Sequence, residues 1–417
     1  MIVLSAKIAH SGVTATEPFL ARCTDNSELP RALAKKQFLV LHDNSPAPPG
    51  FLGYLSFGQD ARGPVGSQLV SAPVTVSHLS EGDVIRINPA KSEIRVLYRR
   101  GSNQNYLLVT ERCNNYCVMC SQPPKPANDD YIMDELFELI PLVDPNTVEL
   151  GITGGEPTLL GERLFSFLRH IRCYLPRTAV HMLSNGRRFQ ESAFASAFAK
   201  AIPKDFMVGI PIYGDEANLH DFVVQAHGAF DETVLGILNL KRFGVRVEIR
   251  VVLQKGVVER LPEIAEFIRR NLLFVDRVAL MGLETIGFAR ANIDQIWADP
   301  IDYGDQLKKA VVKLDSARIR TSIYNHQLCV LPKELWRFSV KSISDWKNEY
   351  LDACRVCTRL GDCGGVFSSS PFRLSRGIKP FLEPIHSFVD NRVVPVGVAE
   401  PLLSDGCLSG VPAGRGS

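Results

Sequence analysis

The sequence lacks three features that would assign the protein to whole classes of function. Its formal net charge is only +2 over 417 residues, whereas a nucleic-acid-binding domain usually carries a strongly basic face. Its first residues lack the basic region and long apolar stretch of a secretory signal. No run approaches the roughly 20 apolar residues that cross a bilayer. These absences predict a cytoplasmic protein that binds neither nucleic acid nor membrane.

A disulfide framework is not expected either, although the chain contains 10 cysteines. Cytoplasmic thiols stay reduced, so cysteines in such a protein more often bind metal or take part in catalysis. Most of them fall in two groups, between residues 113 and 120 and between residues 329 and 363. The isolated Cys23, Cys173 and Cys407 are expected to behave as small buried apolar side chains.

Hydrophobic patterning predicts a β-rich domain followed by an α/β domain. Residues 1–100 contain short β-type runs broken by Pro and Gly. Residues 101–300 alternate apolar β-branched runs with amphipathic helical stretches, which is typical of βαβ units and a parallel sheet. Six such units favour a partial (β/α)6 TIM-type barrel, with its active face at the carboxyl ends of the strands. The six predicted strands are 106–110, 147–153, 179–184, 206–212, 246–253 and 277–282.

Two further regions complete the chain. Residues 301–370 begin with an amphipathic helix and continue into a cysteine-rich segment. The buried stripe of this helix is predicted to be Leu307, Ala310, Val311 and Leu314. Residues 371–417 are rich in Pro, Gly and Ser, and we expect them to form a partly disordered tail.

Three cysteines crowd the loop after the first predicted strand. Cys113, Cys117 and Cys120 lie in "CNNYCVMC" with the spacing C-x3-C-x2-C. Structural zinc normally takes four protein ligands, usually as two separated pairs, and no further His or Cys lies within reach of this loop. Thiolates also hold [4Fe–4S] clusters. Three thiolates on three irons would leave the fourth iron open to a small ligand, such as the amine and carboxylate of an amino acid.

This loop resembles the signature of the radical S-adenosylmethionine (SAM) superfamily. Two more motifs support the resemblance, each at the end of a predicted strand. They are "GITGGEPTLL", with Gly154, Gly155, Glu156 and Pro157, and "LSNGRR", with Ser184 and Asn185. The resemblance implies that the open iron binds SAM, whose reductive cleavage yields a 5′-deoxyadenosyl radical that abstracts hydrogen from a substrate.

The resemblance also implies roles for these residues. The two glycines would let main chain approach the ligand closely, and Glu156 would accept hydrogen bonds from the SAM ammonium group. Ser184 and Asn185 would contact the ribose. Met119 stands where the superfamily usually has an aromatic residue that meets adenine partly through its main chain. Each motif taken alone is also compatible with an ordinary βα turn.

Two charged residues on later strands are weaker candidates. Arg250 lies on the fifth predicted strand and Glu284 follows the sixth. Either residue would face the cofactor or the substrate if its side chain points into the barrel. An ion pair at the surface or at the edge of the core is an equal alternative for both.

The second cysteine group predicts a second metal site. Cys354, Cys357 and Cys363 lie in "CRVCTRLGDCGG", with Cys329 upstream in "NHQLCVLP". A four-cysteine zinc site would use the same composition. The segment also resembles the truncated SPASM, or twitch, region of radical SAM peptide maturases. That resemblance implies an auxiliary [4Fe–4S] cluster without an open iron, which would transfer electrons or dock the substrate.

The motifs together resemble the HxsC maturases of the His-Xaa-Ser peptide-modification system, over roughly residues 100–370. The resemblance implies a ribosomally made precursor peptide, a partner maturase HxsB, a small protein HxsD and an external electron donor. The β-rich N-terminal domain would bind the peptide or a partner, by adding a strand to an exposed sheet edge.

Two other functions remain open from the sequence. The chain could be a radical SAM enzyme that acts on a small molecule, or a cluster-bearing scaffold that recruits the peptide without catalysis. His220 and His227 are candidate acid–base groups, although helix capping or core packing is the more common role. Trp336 and Trp346 are expected in the core or against the peptide.

Overall fold

The two patterns of hydrophobic residues along the chain form two separate sheets. The computed structural model describes residues 4–42, 47–58, 63–341, 348–367 and 372–383. Trp346, Cys407 and most of the tail predicted to be disordered lie outside these ranges. Among the described helices, none has the length and apolar character needed to span a bilayer.

The first sheet has eight strands and occupies the N-terminal region. Its strands are β1 (Ser5–Lys7), β2 (Ala9–Ser11), β3 (Phe19–Thr24), β4 (Gln37–Leu41), β5 (Gly53–Phe57), β6 (Leu69–Ala72), β7 (Val84–Asn88) and β8 (Glu93–Tyr98), with helix α1 (Arg31–Ala34) after β3. The spatial order is β1-β8-β7-β3-β4-β5-β6-β2. Its inward side chains, including Cys23, Phe38 and Leu55, form a hydrophobic core of their own.

The first sheet closes on itself. Strand β1 pairs with β8 and strand β2 pairs with β6, although these two partners lie at opposite ends of the sheet order. Only Ile8 separates β1 from β2, so one short N-terminal segment forms both edges. Edge strands are where an added peptide strand would pair. This closure therefore disfavours the sheet edges as the place where a peptide strand is added.

The second sheet is parallel throughout and confirms the α/β prediction. Its seven strands are β9 (Asn105–Leu108), β10 (Glu149–Thr153), β11 (Ala179–Leu183), β12 (Phe206–Pro211), β13 (Arg246–Leu253), β14 (Arg277–Gly282) and β15 (Thr321–Tyr324). They lie side by side in chain order. The six predicted strands correspond to β9–β14. Strand β15 adds a seventh and carries the sheet past residue 300, where the predicted barrel region ends.

Ten helices lie between the strands of this sheet in the part of the chain that the structure describes. They are α2 (Asp130–Leu139), α3 (Glu162–Tyr174), α4 (Ser192–Ala201), α5 (Ala217–Val224), α6 (Ala229–Arg242), α7 (Lys255–Glu259), α8 (Leu261–Asn271), α9 (Phe288–Ala291), α10 (Ile293–Ile296) and α11 (Gly304–Ser316). The predicted stripe of α11 is buried as expected. Helix α6 ends two residues before Gly244, whose φ of 76° suits a left-handed C-terminal position.

Two short segments follow the parallel sheet. Strands β16 (Asn348–Glu349) and β17 (Val366–Phe367) pair in antiparallel fashion around the second cysteine group. The nine cysteines in the described part of the chain are free thiols. Cys23 is buried, as expected of an isolated cysteine, whereas the same expectation was wrong for Cys173, which is exposed on α3.

Candidate functional site

The cysteine loop lies at the carboxyl end of β9, as predicted. Its main chain forms hydrogen bonds with two other elements. The Val118 N–H donates to the Val223 carbonyl oxygen (2.9 Å), at the end of α5. The Phe288 N–H donates to the Cys120 carbonyl oxygen (2.8 Å), and the Asn292 side chain donates to the Val118 carbonyl oxygen (2.8 Å). The loop is therefore held from both sides of the barrel mouth.

The three thiols of this loop lie close enough to affect one another. The pKa of Cys113 is raised to about 11, mainly by burial and also by the nearby Glu156 and Cys120, while main-chain hydrogen bonds from Asn115 and Asn114 oppose the rise. Burial likewise raises the pKa of Cys117 to about 12, with added contributions from Cys120 and Cys113. Burial also raises the pKa of Cys120. Without a metal the thiols are therefore protonated, and a bound metal would displace their protons.

The donor set of the loop consists of three thiols, the ligand type of a [4Fe–4S] cluster. Within the described ranges, no three His, Cys, Asp or Glu side chains are grouped so that they could hold one metal ion. A [4Fe–4S] cluster places a different iron against each thiolate, so its ligands need not meet at one point. The Asn115 N–H also contacts the Cys113 sulfur at 3.4 Å, and such N–H donors tune the sulfur ligands of clusters.

The GGEP loop packs directly against the base of the cysteine loop. The Gly155 N–H donates to the Thr110 carbonyl oxygen and the Glu156 N–H to the Arg112 carbonyl oxygen, both at 2.8 Å. A Cβ at Gly155 would lie 2.1 Å from the Arg112 oxygen, and a Cβ at Gly154 would lie 2.4 Å from the Thr110 oxygen. Glycine is therefore required at both positions for the two loops to touch.

Glu156 is fully buried, and its hydrogen bonds go to the protein. Its Oε1 accepts from the Thr158 N–H (3.0 Å), the Thr158 hydroxyl (2.6 Å) and the Ser184 hydroxyl (2.8 Å). Its Oε2 accepts from the Asn185 N–H (2.6 Å). Burial raises the pKa of Glu156, and these four donors oppose that rise. The carboxylate therefore joins the second and third βα loops, a role that the motif alone did not indicate.

The third loop connects back to the cysteine loop. The Asn185 side chain donates to the Asn114 side-chain oxygen at 2.6 Å. Arg187 donates to the Asn114 carbonyl oxygen (2.9 Å) and to the Asn115 side chain (2.8 Å), and it pairs with Glu232. The sequence interpretation missed Arg187, although it directly follows the Ser-Asn-Gly motif. The cysteine, GGEP and Ser-Asn loops thus form one hydrogen-bonded unit.

The remaining predicted cofactor contacts lie in different surroundings. Pro157 is buried beside Glu156, and Met119 packs its side chain into the barrel core. The Met119 side chain is therefore not on the open face. Glu284, two residues after the end of β14, is half-buried.

Arg250 lies inside the barrel rather than at the rim of the site. It is in the middle of β13, where it approaches Glu248 (3.2 Å) and the Met281 sulfur. Glu248 also faces His181 (3.6 Å) and Arg277 (3.8 Å). The pKa of His181 is lowered to about 3, mainly by burial and also by the positive charges of Arg250 and Arg277. The barrel interior therefore holds a polar cluster below the active face.

His220 is a core residue rather than an exposed acid–base group. Its ring is buried and stacks against Tyr213, whose N–H donates to His220 Nδ1 at 3.2 Å. Burial lowers the pKa of His220 to about 4. His227, by contrast, is exposed. Core packing, the more common role of such a histidine, is what the structure shows for His220.

We expect His220 to make the protein less stable in acid. Its pKa is about 4 in the folded protein, against an ordinary 6.5. Between pH 4 and 6.5 this histidine is therefore protonated in the unfolded chain but not in the folded protein. Neutral His220 therefore adds about 3 kcal/mol to the free energy of unfolding above pH 6.5, and this contribution is lost as the pH falls toward 4. His220→Asn should flatten the pH dependence of urea unfolding in this window. His227→Asn, the matched control, should leave the slope unchanged; equal slopes for wild type and His220→Asn would contradict the assignment.

The second cysteine group also converges. Cys329, Cys354, Cys357 and Cys363 line one small apolar cavity, together with Tyr350 and Phe381. The Phe381 N–H contacts the Cys357 sulfur at 3.4 Å. Burial raises the pKa of Cys329, a main-chain hydrogen bond from Lys379 opposes the rise, and Cys363 and Cys354 add to it. Four thiols are the ligand set of either a four-iron cluster or a zinc ion, although the side chains of the described residues are not arranged to hold a single metal ion here.

Trp336 packs beside the second cysteine group. Its indole N–H donates to the Leu328 carbonyl oxygen (3.0 Å), and its ring packs edge-on against Phe381. Arg359 lies over the other part of the ring. Trp336 is therefore a packing residue between the four-cysteine cavity and the parallel sheet.

A comparison with known protein families covers the same three loops. Residues 107–268 match the family model of the radical SAM superfamily. The matched range contains the cysteine loop, the GGEP loop and the Ser-Asn loop. The comparison with curated proteins gave no match.

Two solved structures with a similar fold share low sequence identity with this chain. Streptococcus suis SuiB bound to S-adenosylmethionine is 14% identical with a TM-score of 0.45, covering 55% of this chain and 51% of SuiB. The anSMEcpe structure with bound AdoMet is 17% identical with a TM-score of 0.41, covering 52% of this chain and 62% of its own. The similar region thus spans about half of SuiB. At this level of similarity, neither structure assigns a substrate to this chain.

Proposed function

We propose, on the premise that residues 107–268 match the radical SAM superfamily, that this protein modifies a ribosomally made peptide by hydrogen abstraction. The observation that carries the proposal is the single hydrogen-bonded unit of three βα loops, with three thiols on one side and Glu156 at its centre. In this superfamily the bound cluster and SAM supply a 5′-deoxyadenosyl radical.

The residues of this chain would hold and orient those groups. Cys113, Cys117 and Cys120 would ligate the cluster and leave one iron for the SAM amine and carboxylate. Gly154 and Gly155 would present main chain to the ligand. Asn185, half-buried at the carboxyl end of β11, would bind the ribose, while Glu156 fixes the loop that carries it.

A peptide substrate is favoured by the second cysteine group. Four thiols at one cavity, outside the barrel mouth, match the auxiliary-cluster region of the peptide maturases that the motifs resemble. We further propose that the peptide is of the His-Xaa-Ser type, that HxsB and HxsD act with this chain, and that an external donor supplies electrons in the cytoplasm. The resemblance to HxsC supports these finer points.

The substrate proposal is tested by mass spectrometry of the peptide. A precursor with His-Xaa-Ser repeats would be incubated anaerobically with reconstituted protein, SAM and a low-potential reductant. Formation of an intramolecular cross-link would appear as the loss of two hydrogen atoms. An unchanged peptide, with SAM cleaved at the same rate in its absence, would instead favour a small-molecule substrate.

Metal analysis of the reconstituted wild-type protein checks the second site. We expect about eight irons per chain, the number for two four-iron clusters. About four irons with one zinc would keep the first site and make the four-cysteine cavity a structural zinc site. Zinc without any iron would contradict both assignments.

A further inference from the structure

A groove of about 480 Å³ lies between the N-terminal sheet and the first strand of the barrel. Strand β8 and the segment before β1 form one wall, and β9 with helix α2 forms the other. Its lining reaches Thr153, directly before the GGEP loop, and Gln122, two residues after Cys120. The groove therefore leads to the candidate site from the side of the N-terminal domain.

The wall formed by β9 presents an unpaired strand edge. Strand β9 pairs with β10 on one side, and it is the last strand of its sheet. The Val109 N–H donates to the Thr153 carbonyl oxygen, so the odd-numbered residues of β9 make the ladder with β10. The N–H and C=O groups of Tyr106 and Leu108 therefore point to the other edge. Over the ranges that the structure describes, no strand pairs with that edge.

Two buried polar atoms among the groove residues also lack partners. The Arg99 Nη1 donor and the Gln104 Oε1 acceptor are buried, and neither makes a hydrogen bond in the described part of the protein. A buried polar group without a partner is costly and calls for an explanation. One donor and one acceptor beside an unpaired strand edge match the alternating C=O and N–H groups of an extended polypeptide.

The charges of the groove indicate what side chain such a peptide would carry. Arg95 and Arg99 both line it, and neither forms an ion pair with a described residue. The lining carboxylate, Glu135, is already paired with Arg86 of strand β7. The charge of Arg95 also acts on Glu135, but with two arginines against one carboxylate the lining remains net positive, which favours an acidic side chain in the partner.

We infer that this groove binds an extended, acidic segment of the substrate peptide as an added strand on the open edge of β9. The inference rests on the proposed function and names how the substrate is held. It places the added strand on the barrel rather than on the N-terminal sheet, whose edges are closed by its own first segment. A peptide bound there would continue past Thr153 toward the cysteine loop.

The binding test uses the full chain and a fluorescein-labelled precursor peptide with His-Xaa-Ser repeats. We expect Arg99→Ala to weaken binding at least tenfold in an anisotropy titration, and Gln104→Ala to weaken it about threefold. Arg31→Ala, an exposed arginine on α1 of the same domain, should change affinity less than twofold. SAM cleavage without peptide should be unchanged in all three variants, which also shows that they fold. Wild-type affinity in Arg99→Ala would overturn the inference.

Hydrogen exchange on the wild-type protein separates strand addition from side-chain contact. Bound precursor should slow amide exchange in residues 105–109, and replacing alternate precursor residues by N-methyl forms should weaken binding with a period of two. Tight binding without protection of β9 would overturn the inference while leaving the proposed function intact. A precursor that neither binds nor changes mass would overturn both. A groove filled by a second copy of this chain, seen as a dimer that Arg99→Ala dissociates, would also overturn the inference.

Discussion

Cys113→Ala, Cys117→Ala and Cys120→Ala should each abolish SAM cleavage and remove about four of the eight expected irons. The three thiols lie together in one loop, close enough for Cys120 to affect the pKa of both Cys113 and Cys117. Losing one ligand of three leaves a cluster that can be lost to solvent. Iron analysis and detection of 5′-deoxyadenosine measure the two effects separately.

Two other cysteines provide matched controls for this result. Cys173→Ala changes an exposed thiol of α3 and should leave both the iron content and SAM cleavage at wild-type values. Cys357→Ala should remove the metal of the four-cysteine cavity while SAM cleavage without peptide continues. If Cys113→Ala retained full iron and cleavage, the assignment of the first site would be wrong.

Glu156→Gln should destabilise the protein by about 3 kcal/mol and weaken SAM binding at least tenfold. The carboxylate accepts four hydrogen bonds in a fully buried position. A glutamine amide would turn an NH2 group toward one of these donors and leave that donor unpaired. Such losses in buried charged networks cost several kcal/mol. Urea unfolding and isothermal titration with SAM would measure the two effects.

The control for this variant lies six residues further along the chain. Glu162→Gln makes the same change in an exposed carboxylate at the start of α3, where it pairs with Arg169 at the surface. Exposed pairs contribute at most about 1 kcal/mol, so stability and SAM affinity should hardly change. Equal behaviour of the two variants would mean that Glu156 does not join the loops.

The sequence predicted the barrel strands because they are long, β-branched and buried on their outer face. Val247, Ile249 and Val251 of β13 show this pattern clearly. Strand β15 was missed because its four residues, Thr321–Tyr324, follow a charged segment and carry a weak apolar signal. Its place in the sheet depends on pairing with β14, which local patterning does not report.

The sequence predicted which loops meet at the site, but not which atoms form the hydrogen bonds between them. Parallel strands bring their carboxyl ends to one edge, so the convergence of the cysteine, GGEP and Ser-Asn loops follows from the strand assignment. The partners of Glu156 and the contacts of Arg187 depend on the distances between loops, which motif spacing leaves undefined. The same is true of the N-terminal sheet, whose closure by residues 5–11 comes from long-range pairing.

The most direct test of the central claim is transfer of deuterium from the peptide. Wild-type protein with both metal sites filled would be incubated anaerobically with SAM, reductant and a precursor deuterated at its side-chain carbons. We predict that 5′-deoxyadenosine carries deuterium and that the precursor loses it in equal amount. Protein that holds its iron and binds SAM, yet forms no 5′-deoxyadenosine with the precursor present, would contradict the claim.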